Sequence, residues 1–544
     1  MNTARLDEAP RATSNGGSAL RTVRRLVIYV LLFLLVATAA SGVAGLLDRL
    51  LESGDVLAEG GTGGVALPLA FTLVAGPLAA ILWWIVWKLL ADPAERSALA
   101  WGLYLTAVSA VSLVTAVSAL LQTAAALVSG DWRPSSFSIG LVWAAVWVWH
   151  RWMLRHPAKG PTRMVSVPDV IGFSFGLAIG LSGTIATLGA LLREAILGGL
   201  DGASFGVPWW QSALQALVWA VGGALVWWGH WVAFRGRQLR TVFSDVAVVG
   251  IGVTVPSVLA LGGVGVTLYV LLRLAFDADR GVPDVLEPLP TALAAALVGA
   301  LVWLYHRGQL RDRSIGARAA ALLATSGVAL VGAASGVGVL VNATLASLAP
   351  AIAGSDARTL LLGGLSALVV GGAAWWWFWR QTNTHSPGRR IYLVVVFGVS
   401  AVVALVTLVV IGFWIFQFQF DEATGSLLER VRAPLGLLIA TGLVSAYHFS
   451  VWRHDRGELA EAQPVRHPTL RAVTLVAAGD AAATARAIKD ATGAQVTLWR
   501  RADVDASPPA LDPAELVRAL DAVSVERVLL ITGPQSSVQV IPLD

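Results

Sequence analysis

Residues 391–418 read IYLVVVFGVSAVVALVTLVVIGFWIFQF, a run of 28 residues without a charged side chain. A helix needs about 20 apolar residues to cross the hydrocarbon core of a bilayer. A strand of a transmembrane barrel needs only about 10, so a run of this length does not suit a barrel. The segment therefore predicts a transmembrane helix.

Similar apolar blocks recur along the whole chain, which is 56% hydrophobic and only 13% charged. The predicted spans are 26–47, 66–90, 98–128, 137–154, 169–198, 209–234, 242–276, 289–306, 316–349, 359–379, 391–418 and 433–452. Pro77 and Pro256 lie inside two of these blocks and are the expected kink sites. The fold class predicted is an all-α polytopic membrane protein with about 12 transmembrane helices between residues 21 and 456.

Positive charge is distributed unequally between the two sets of loops that connect these spans. One set carries 21 Lys and Arg residues and the other carries 8. Because basic loops stay on the cytoplasmic side, both termini are predicted to be cytoplasmic, in the cell's inner membrane. This topology explains the net charge of +5 without nucleic-acid binding. Residues 1–20 are polar and are predicted to be disordered, with the first helix retained as a signal anchor.

The second helix of each predicted pair ends in a short aromatic and basic patch. Fifteen of the 23 Trp residues lie in the patches WWIVWK (83–88), WVWHRW (147–152), WWGHW (227–231), WLYHR (303–307), WWWFWR (375–380) and AYHFSVWR (446–453). Such a recurrence predicts an internal repeat, here six two-helix units. Trp and cations at these positions are typical of anchoring at the membrane interface.

Histidines recur within four of these patches, at His150, His230, His306 and His448. Besides interface anchoring, paired imidazoles can ligate a metal or haem, or can titrate near neutral pH. These residues are therefore the candidates for a cofactor-binding site, although the first and fifth units carry Trp87 and Trp379 nearby instead. With no cysteine and no metal-ligand spacing, the sequence predicts no metal site, no cofactor and no catalytic residue.

Two short motifs accompany the repeat. Arg24-Arg25-Leu26-Val27-Ile28-Tyr29 and Arg389-Arg390-Ile391-Tyr392 open a helix with basic residues and a tyrosine, and Trp147 to Arg151 gives Trp-x-x-His-Arg at a returning helix. In these motifs the chain resembles a bacterial family of multi-pass membrane proteins described only as a domain of unknown function. The resemblance covers about residues 21–456 and implies no catalytic residue.

Few polar groups are placed within the apolar blocks. Asp169 and Asp245 lie at helix starts, where we expect them to be solvated. Amides such as Gln122, Gln215 and Asn342 are expected to form hydrogen bonds between helices. Small residues at four-residue spacing or in pairs predict close helix packing, namely Gly172, Gly176 and Gly180, Gly332 and Gly336, Gly262 and Gly263, and Gly371 and Gly372.

The composition changes after residue 456. Residues 457–468 form a polar linker with Pro464 and Pro468, and residues 469–544 have a soluble α/β pattern. The predicted order is βαβαββ, with strands at 471–477, 495–500, 527–532 and 538–542 and helices at 480–492 and 512–523. Asp480 and Gly493 are the expected caps of the first helix.

No motif identifies a molecular activity, and the sequence favours a protein that is not an enzyme. The first hypothesis is a scaffold, assembly or signalling protein whose cytoplasmic domain binds a protein partner through residues 469–544. The alternative is a transporter or channel for an unidentified solute, because helix number, repetition and glycine-rich helices suit one. A weaker hypothesis is a lipid or quinone enzyme that uses a repeated histidine as acid or base. The lipid bilayer is the one partner that composition itself implies.

Overall fold

The computed structural model describes residues 14–52, 63–199, 208–277, 281–348, 357–382, 386–420, 426–461, 470–477, 481–500, 520, 525–532 and 538–543. The chain divides into two compact units, residues 1–444 and 445–544. The predicted linker at 457–468 lies largely outside the described residues, as does most of the predicted N-terminal segment 1–20. Helix α1 nevertheless begins at Ser14, within that segment.

The α-helices before the C-terminal sheet are α1 (Ser14–Glu52), α2 (Gly63–Ala70), α3 (Gly76–Leu89), α4 (Pro93–Arg96), α5 (Leu99–Leu127), α6 (Pro134–Leu154), α7 (Val167–Leu197), α8 (Trp209–Trp228), α9 (Val242–Ala247), α10 (Val255–Phe276), α11 (Val282–Leu286), α12 (Leu289–Gln309), α13 (Ile315–Ser347), α14 (Ala357–Trp379), α15 (Pro387–Phe420) and α16 (Leu427–Glu461). Within the described ranges, 11 continuous helical segments are long and apolar enough to cross a membrane. The protein is therefore a helical, multi-pass membrane protein.

Helix α6 is not among these 11 segments, although 137–154 was predicted as the fourth span. It is a helix of 21 residues, which is long enough for a crossing. Its sequence PSSFSIGLVWAAVWVWHRWML is rich in Ser and Trp and includes His150 and Arg151, so its most apolar stretch is less apolar than those of the 11 segments.

Both expected kink sites follow a short stretch of π-helix. Residues Phe71–Ala75 are π-helical immediately before Gly76 and Pro77, and residues Val248–Thr254 are π-helical before Val255 and Pro256. Proline lacks an N–H group, and its ring clashes with the carbonyl one turn earlier. A wider turn before each proline accommodates both effects.

The long helices pack in a regular sequence. Four pairs of long helices that follow one another in the chain pack together, namely α5 and α6, α7 and α8, α10 and α12, and α13 and α14. In addition, the first helix of each pair contacts the second helix of the next pair, namely α1 with α6, α5 with α8, α7 with α12, and α10 with α14. The same relation thus recurs from the first helix pair to the fifth.

Glycine makes the closest of these contacts possible, as the four-residue spacing predicted. A Cβ atom at Gly176 would overlap the backbone nitrogen of Trp227, and one at Gly336 would overlap that of Leu368. Gly263 is equally close to the backbone of α12, whereas a Cβ at the adjacent Gly262 would meet nothing within 4 Å. One member of this glycine pair therefore packs, while the other borders a cavity.

The C-terminal unit contains a small four-stranded sheet of β1 (Ala472–Ala477), β2 (Gln495–Arg500), β3 (Arg527–Thr532) and β4 (Val538–Leu543). The order is β2-β1-β3-β4, with β1 parallel to β2 and β3, and β4 antiparallel to β3. Helix α17 (Ala482–Thr492) packs against β2 and buries Ile488.

Of the two helices predicted for this domain, the first lies within the described residues. Gly493 adopts a left-handed conformation with φ of 71° and caps α17, as predicted. The N-cap position of α17 is Ala481, and the predicted cap Asp480 lies outside the described residues. The predicted helix 512–523 also falls almost entirely outside them.

Candidate functional site

The aromatic ends of the returning helices contact one another through a repeated pair of rings. The ring centroids of Trp83 and His150 lie 5.6 Å apart, those of Trp147 and His230 lie 6.1 Å apart, and those of Trp227 and His306 lie 6.2 Å apart. In each case a tryptophan of one returning helix meets the histidine of the next. We call this series of contacts the ring ladder.

The ring ladder continues to the fifth returning helix with phenylalanine in place of histidine. Trp303 and Phe378 have ring centroids 5.6 Å apart in an edge-on arrangement. Phe378 lies three residues after Trp375, as each of the first three histidines follows its own tryptophan. The ring three residues after the tryptophan of these returning helices therefore fills space between helices, whether it is a histidine, which can titrate, or a phenylalanine, which cannot.

His150 has hydrogen-bond partners on both ring nitrogens. Its Nδ1–H donates to the carbonyl oxygen of Val146 over 2.7 Å, because a carbonyl can only accept. In a neutral imidazole Nε2 then carries the lone pair, so the hydroxyl of Tyr104, 3.1 Å away, donates to it. The hydrogen bond joins α5 to α6, and both side chains are buried.

His230 lies in a π-helical turn, Gly229–Ala233, and is buried against α7. Its Nδ1–H donates to the carbonyl oxygen of Val226 over 3.0 Å. Gly172 of α7 faces the imidazole so closely that a Cβ atom there would overlap the ring. Phe234 stands edge-on to the same ring, at 5.3 Å between centroids. The site is tightly filled by neighbouring side chains.

His306 borders a cavity. Its side chain is 1% exposed, and its Nδ1–H donates to the carbonyl oxygen of Val302 over 2.9 Å. Within the described part of the chain, its Nε2 atom has no hydrogen-bond partner. The cavity, of about 320 Å³, lies between α7, α8 and α12 and is otherwise mostly apolar.

His448 belongs to the other compact unit, residues 445–544, and is buried beside Tyr447. The three preceding histidines each contact rings of neighbouring helices, and the ring contacts described for them pair none with another histidine. Among the described residues, no group of three or more His, Asp or Glu side chains is suited to hold a metal. A role of the four histidines in cofactor binding stays a prediction.

Carboxylates near the same ends of the helices form ion pairs with arginines of neighbouring segments. Asp169 of α7 lies 2.7 Å from Arg151 of α6, and Asp245 of α9 lies 2.6 Å from Arg313, just before α13. The side chains of Asp169 and Asp245 are only 15% and 21% exposed. The expectation that these two carboxylates are solvated was therefore wrong, because each helix start lies against a basic residue from another helix end.

Glu95 of α4 makes the corresponding contact for the first helices. Its two carboxylate oxygens accept hydrogen bonds from Nε and a terminal nitrogen of Arg25, each at 2.9 Å. This two-point geometry is the strongest arrangement for an arginine and a carboxylate. The sequence signal for it was weak, since 70 residues separate the partners.

Two of the predicted amide contacts are present. Ser136 at the start of α6 donates to the side-chain oxygen of Gln122 on α5 over 3.4 Å, and Gln215 on α8 donates to the hydroxyl of Ser129 over 2.7 Å. Asn342 differs from both, because its side-chain oxygen has no hydrogen-bond partner among the described residues. It borders an apolar cavity of about 660 Å³ between α13, α15 and α16.

Comparison with known proteins identifies one family. The model of a domain of unknown function, DUF5671, matches residues 25–149 and again residues 317–443. Each match ends shortly before a histidine of the repeated patches, His150 or His448, so the Trp-x-x-His-Arg motif is not contained in either match. No significant match was found among curated proteins or solved structures. The chain is therefore similar to the DUF5671 family over two segments, which lie on either side of residues 150–316.

Proposed function

We propose that the protein crosses the inner membrane twelve times, as six helix pairs, with both termini in the cytoplasm. The crossing that is added to the 11 apolar segments is α6, the fourth in chain order. It lies antiparallel to α5 over its whole length. Ser136 and Gln122 meet near one end of this helix pair, and His150 and Tyr104 meet near the other. Because α5 is long and apolar enough to span the bilayer, a helix that follows it from end to end crosses the same layer.

The absence of cysteine from the sequence allows a direct test of this topology. A single cysteine at Ser129, after α5, should react with a membrane-impermeant maleimide in intact cells. A cysteine at Arg237, between α8 and α9, should react only after the membrane is permeabilised. Labelling of both from outside, or of neither, would contradict the proposed orientation.

For the molecular role, we propose a non-catalytic scaffold, assembly or signalling protein whose C-terminal domain binds a protein partner. The observation that carries this proposal is the edge strand β2. In the described sheet it pairs with β1 on one side, and its Trp499 and Leu498 are 62% and 41% exposed. Unpaired strand edges recruit strands of other chains, and an exposed tryptophan is a frequent anchor of an interface.

A photo-crosslinking amino acid at Trp499 of the full-length protein, in its own membranes, tests this role. We expect a defined protein adduct from position 499 and none from the matched exposed position Arg486 on α17. Trp499→Lys should abolish copurification of the protein found in that adduct, while membrane insertion stays unchanged. Equal adducts at both positions, or none at 499, would overturn the proposal.

A transporter or channel is the second candidate, and two cavities of the membrane unit favour it. The larger, about 740 Å³, lies between α10, α13 and α14 and is bordered by several glycines. Its lining is mainly apolar, which suits an apolar solute better than an ion. A flux in proteoliposomes that Gly262→Leu blocks and Gly398→Leu leaves unchanged would support transport. The two variants are matched, because a Cβ atom added at either glycine would meet nothing within 4 Å. No flux of any tested solute would remove this candidate.

A further inference from the structure

A basic pocket lies where α12 ends and α13 begins. Its volume is about 490 Å³, and its lining includes Arg307 of α12, Arg311 of the following turn and Arg318 of α13. Gln381, just after α14, borders the pocket from the next helix pair. Three arginines thus border one concave site at the same end of the helices as the ring ladder.

None of these three arginines forms an ion pair within the part of the chain that the structure describes, and no carboxylate lines the pocket. The nearest acidic residue in sequence, Asp312, is exposed and lies outside the lining. The adjacent Arg313 is different, because it is buried and paired with Asp245. The pocket therefore holds positive charge that the protein's own described residues do not neutralise.

The guanidinium of Arg307 is held in position by aromatic and amide groups. It lies 4.9 Å from the ring centroid of Trp303 and 5.8 Å from that of Phe378. It also donates to the side-chain oxygen of Gln381 over 3.4 Å, and Gln381 in turn donates to the carbonyl oxygen of Trp377. These contacts orient an arginine without removing its charge.

Comparison with the α6–α7 connection shows what chemistry the pocket suits. Arg151 follows His150 as Arg307 follows His306, and Arg151 is paired with Asp169 in the first turn of α7. The first turn of α13 carries Arg318 and no acidic residue. A helix N-terminus favours negative charge, so a cation there is unfavourable unless an anion accompanies it.

We propose that this pocket binds a phosphate group, either as the headgroup of an anionic lipid or as free phosphate. Arginines recognise phosphate oxygens through paired N–H donors, and basic pockets between membrane helices bind anionic headgroups. Trp303 places the pocket at the interfacial level typical of tryptophan, which lipid headgroups also occupy. The proposal does not depend on the role of the C-terminal domain.

The test measures thermal unfolding of the full-length protein in detergent, titrated with three probes at constant ionic strength. The probes are short-chain phosphatidylglycerol, short-chain phosphatidylcholine and inorganic phosphate. We expect phosphatidylglycerol or inorganic phosphate to stabilise the wild type, and phosphatidylcholine to have little effect. A response to phosphatidylglycerol alone identifies the headgroup as the source, and an equal response to inorganic phosphate identifies the free ion.

Two double variants with the same change in net charge separate the pocket from general surface charge. Arg311→Gln with Arg318→Gln should weaken binding about tenfold or more, because each basic residue contributes substantially to attraction of an anionic headgroup. Arg237→Gln with Arg390→Gln, at exposed positions outside the pocket, should change it less than about twofold. Equal weakening by both doubles, or no stabilisation of the wild type by either anion, would overturn the proposal.

Discussion

Two connections between helix pairs differ in whether the arginine at the end of the returning helix is paired with a carboxylate. After α6, the next long helix supplies Asp169, which lies 2.7 Å from Arg151. After α12, the next long helix supplies Arg318 to a pocket that already contains Arg307. The first connection is neutralised within the chain, whereas the second leaves exposed cations around a cavity.

We interpret the difference as one connection that serves structure and another that serves the proposed phosphate binding. Both connections retain the histidine before the arginine and its contact with the preceding tryptophan, Trp83 to His150 and Trp227 to His306. The packing thus recurs within the chain, while the first turn of the next long helix carries Asp169 in one connection and Arg318 in the other. Variants that exchange the two arrangements test this interpretation.

The largest expected effect is at the paired connection. Asp169→Ala leaves Arg151, whose side chain is 10% exposed, without its carboxylate. Removing one partner of a largely buried ion pair costs about 3 kcal/mol, because the remaining charge stays desolvated. Thermal unfolding in detergent, followed by circular dichroism, measures the loss.

The control for that variant is an exposed ion pair of the same chain. Arg133 and Asp131 lie 2.8 Å apart with side chains 48% and 53% exposed. Asp131→Ala should lower stability by less than about 0.5 kcal/mol, since solvent screens such pairs. A similar loss from both aspartate variants would mean that burial does not distinguish the two connections.

A smaller effect is expected where a buried hydrogen bond is removed from the ring ladder. Tyr104→Phe deletes the hydroxyl that donates to Nε2 of His150, at a cost of about 1 to 2 kcal/mol. Tyr269→Phe is the matched control, because its hydroxyl makes no hydrogen bond within the described residues. If the two variants unfold at the same midpoint, that result would argue against the tautomer assigned to His150.

Converting the unpaired connection into the paired one should change stability in the opposite direction. Arg318→Asp places a carboxylate in the first turn of α13, where it can neutralise Arg307 and interact favourably with the helix dipole. We expect a gain of about 0.5 to 1 kcal/mol in the absence of added anion. The same variant should no longer be stabilised by phosphatidylglycerol or phosphate, and retained stabilisation would contradict the comparison.

The smallest effect is expected when one exposed cation is neutralised. Arg318→Gln, without added anion, should alter stability by no more than about 0.5 kcal/mol, because no ion pair with a described residue is lost. A loss comparable to that of Asp169→Ala would show that Arg318 stabilises the fold rather than a ligand.

Local sequence patterns were sufficient for much of the fold. Apolar run length located the membrane helices, because the bilayer imposes the same requirement on every span. Four-residue glycine spacing predicted that Gly176 and Gly336 would allow close helix contact, which the structure confirms. The less apolar α6 was harder to classify, since Trp and Ser lower its hydropathy although it accompanies α5 throughout.

The sequence by itself determined that this protein is a helical membrane protein and that one family model matches it twice, because apolar runs and family patterns are both local properties of the chain. Only the tertiary structure decided which charged and polar groups meet. Asp245 and Arg313 are separated by 68 residues, and the residues around Arg307 come from α12, α13 and the end of α14. Their contacts depend on how the helix pairs stack, and hydrophobic periodicity specifies which faces are apolar without specifying which helix covers them. For that reason the repeated histidines are recognisable in the sequence, whereas the unpaired arginine pocket is recognisable only in the fold.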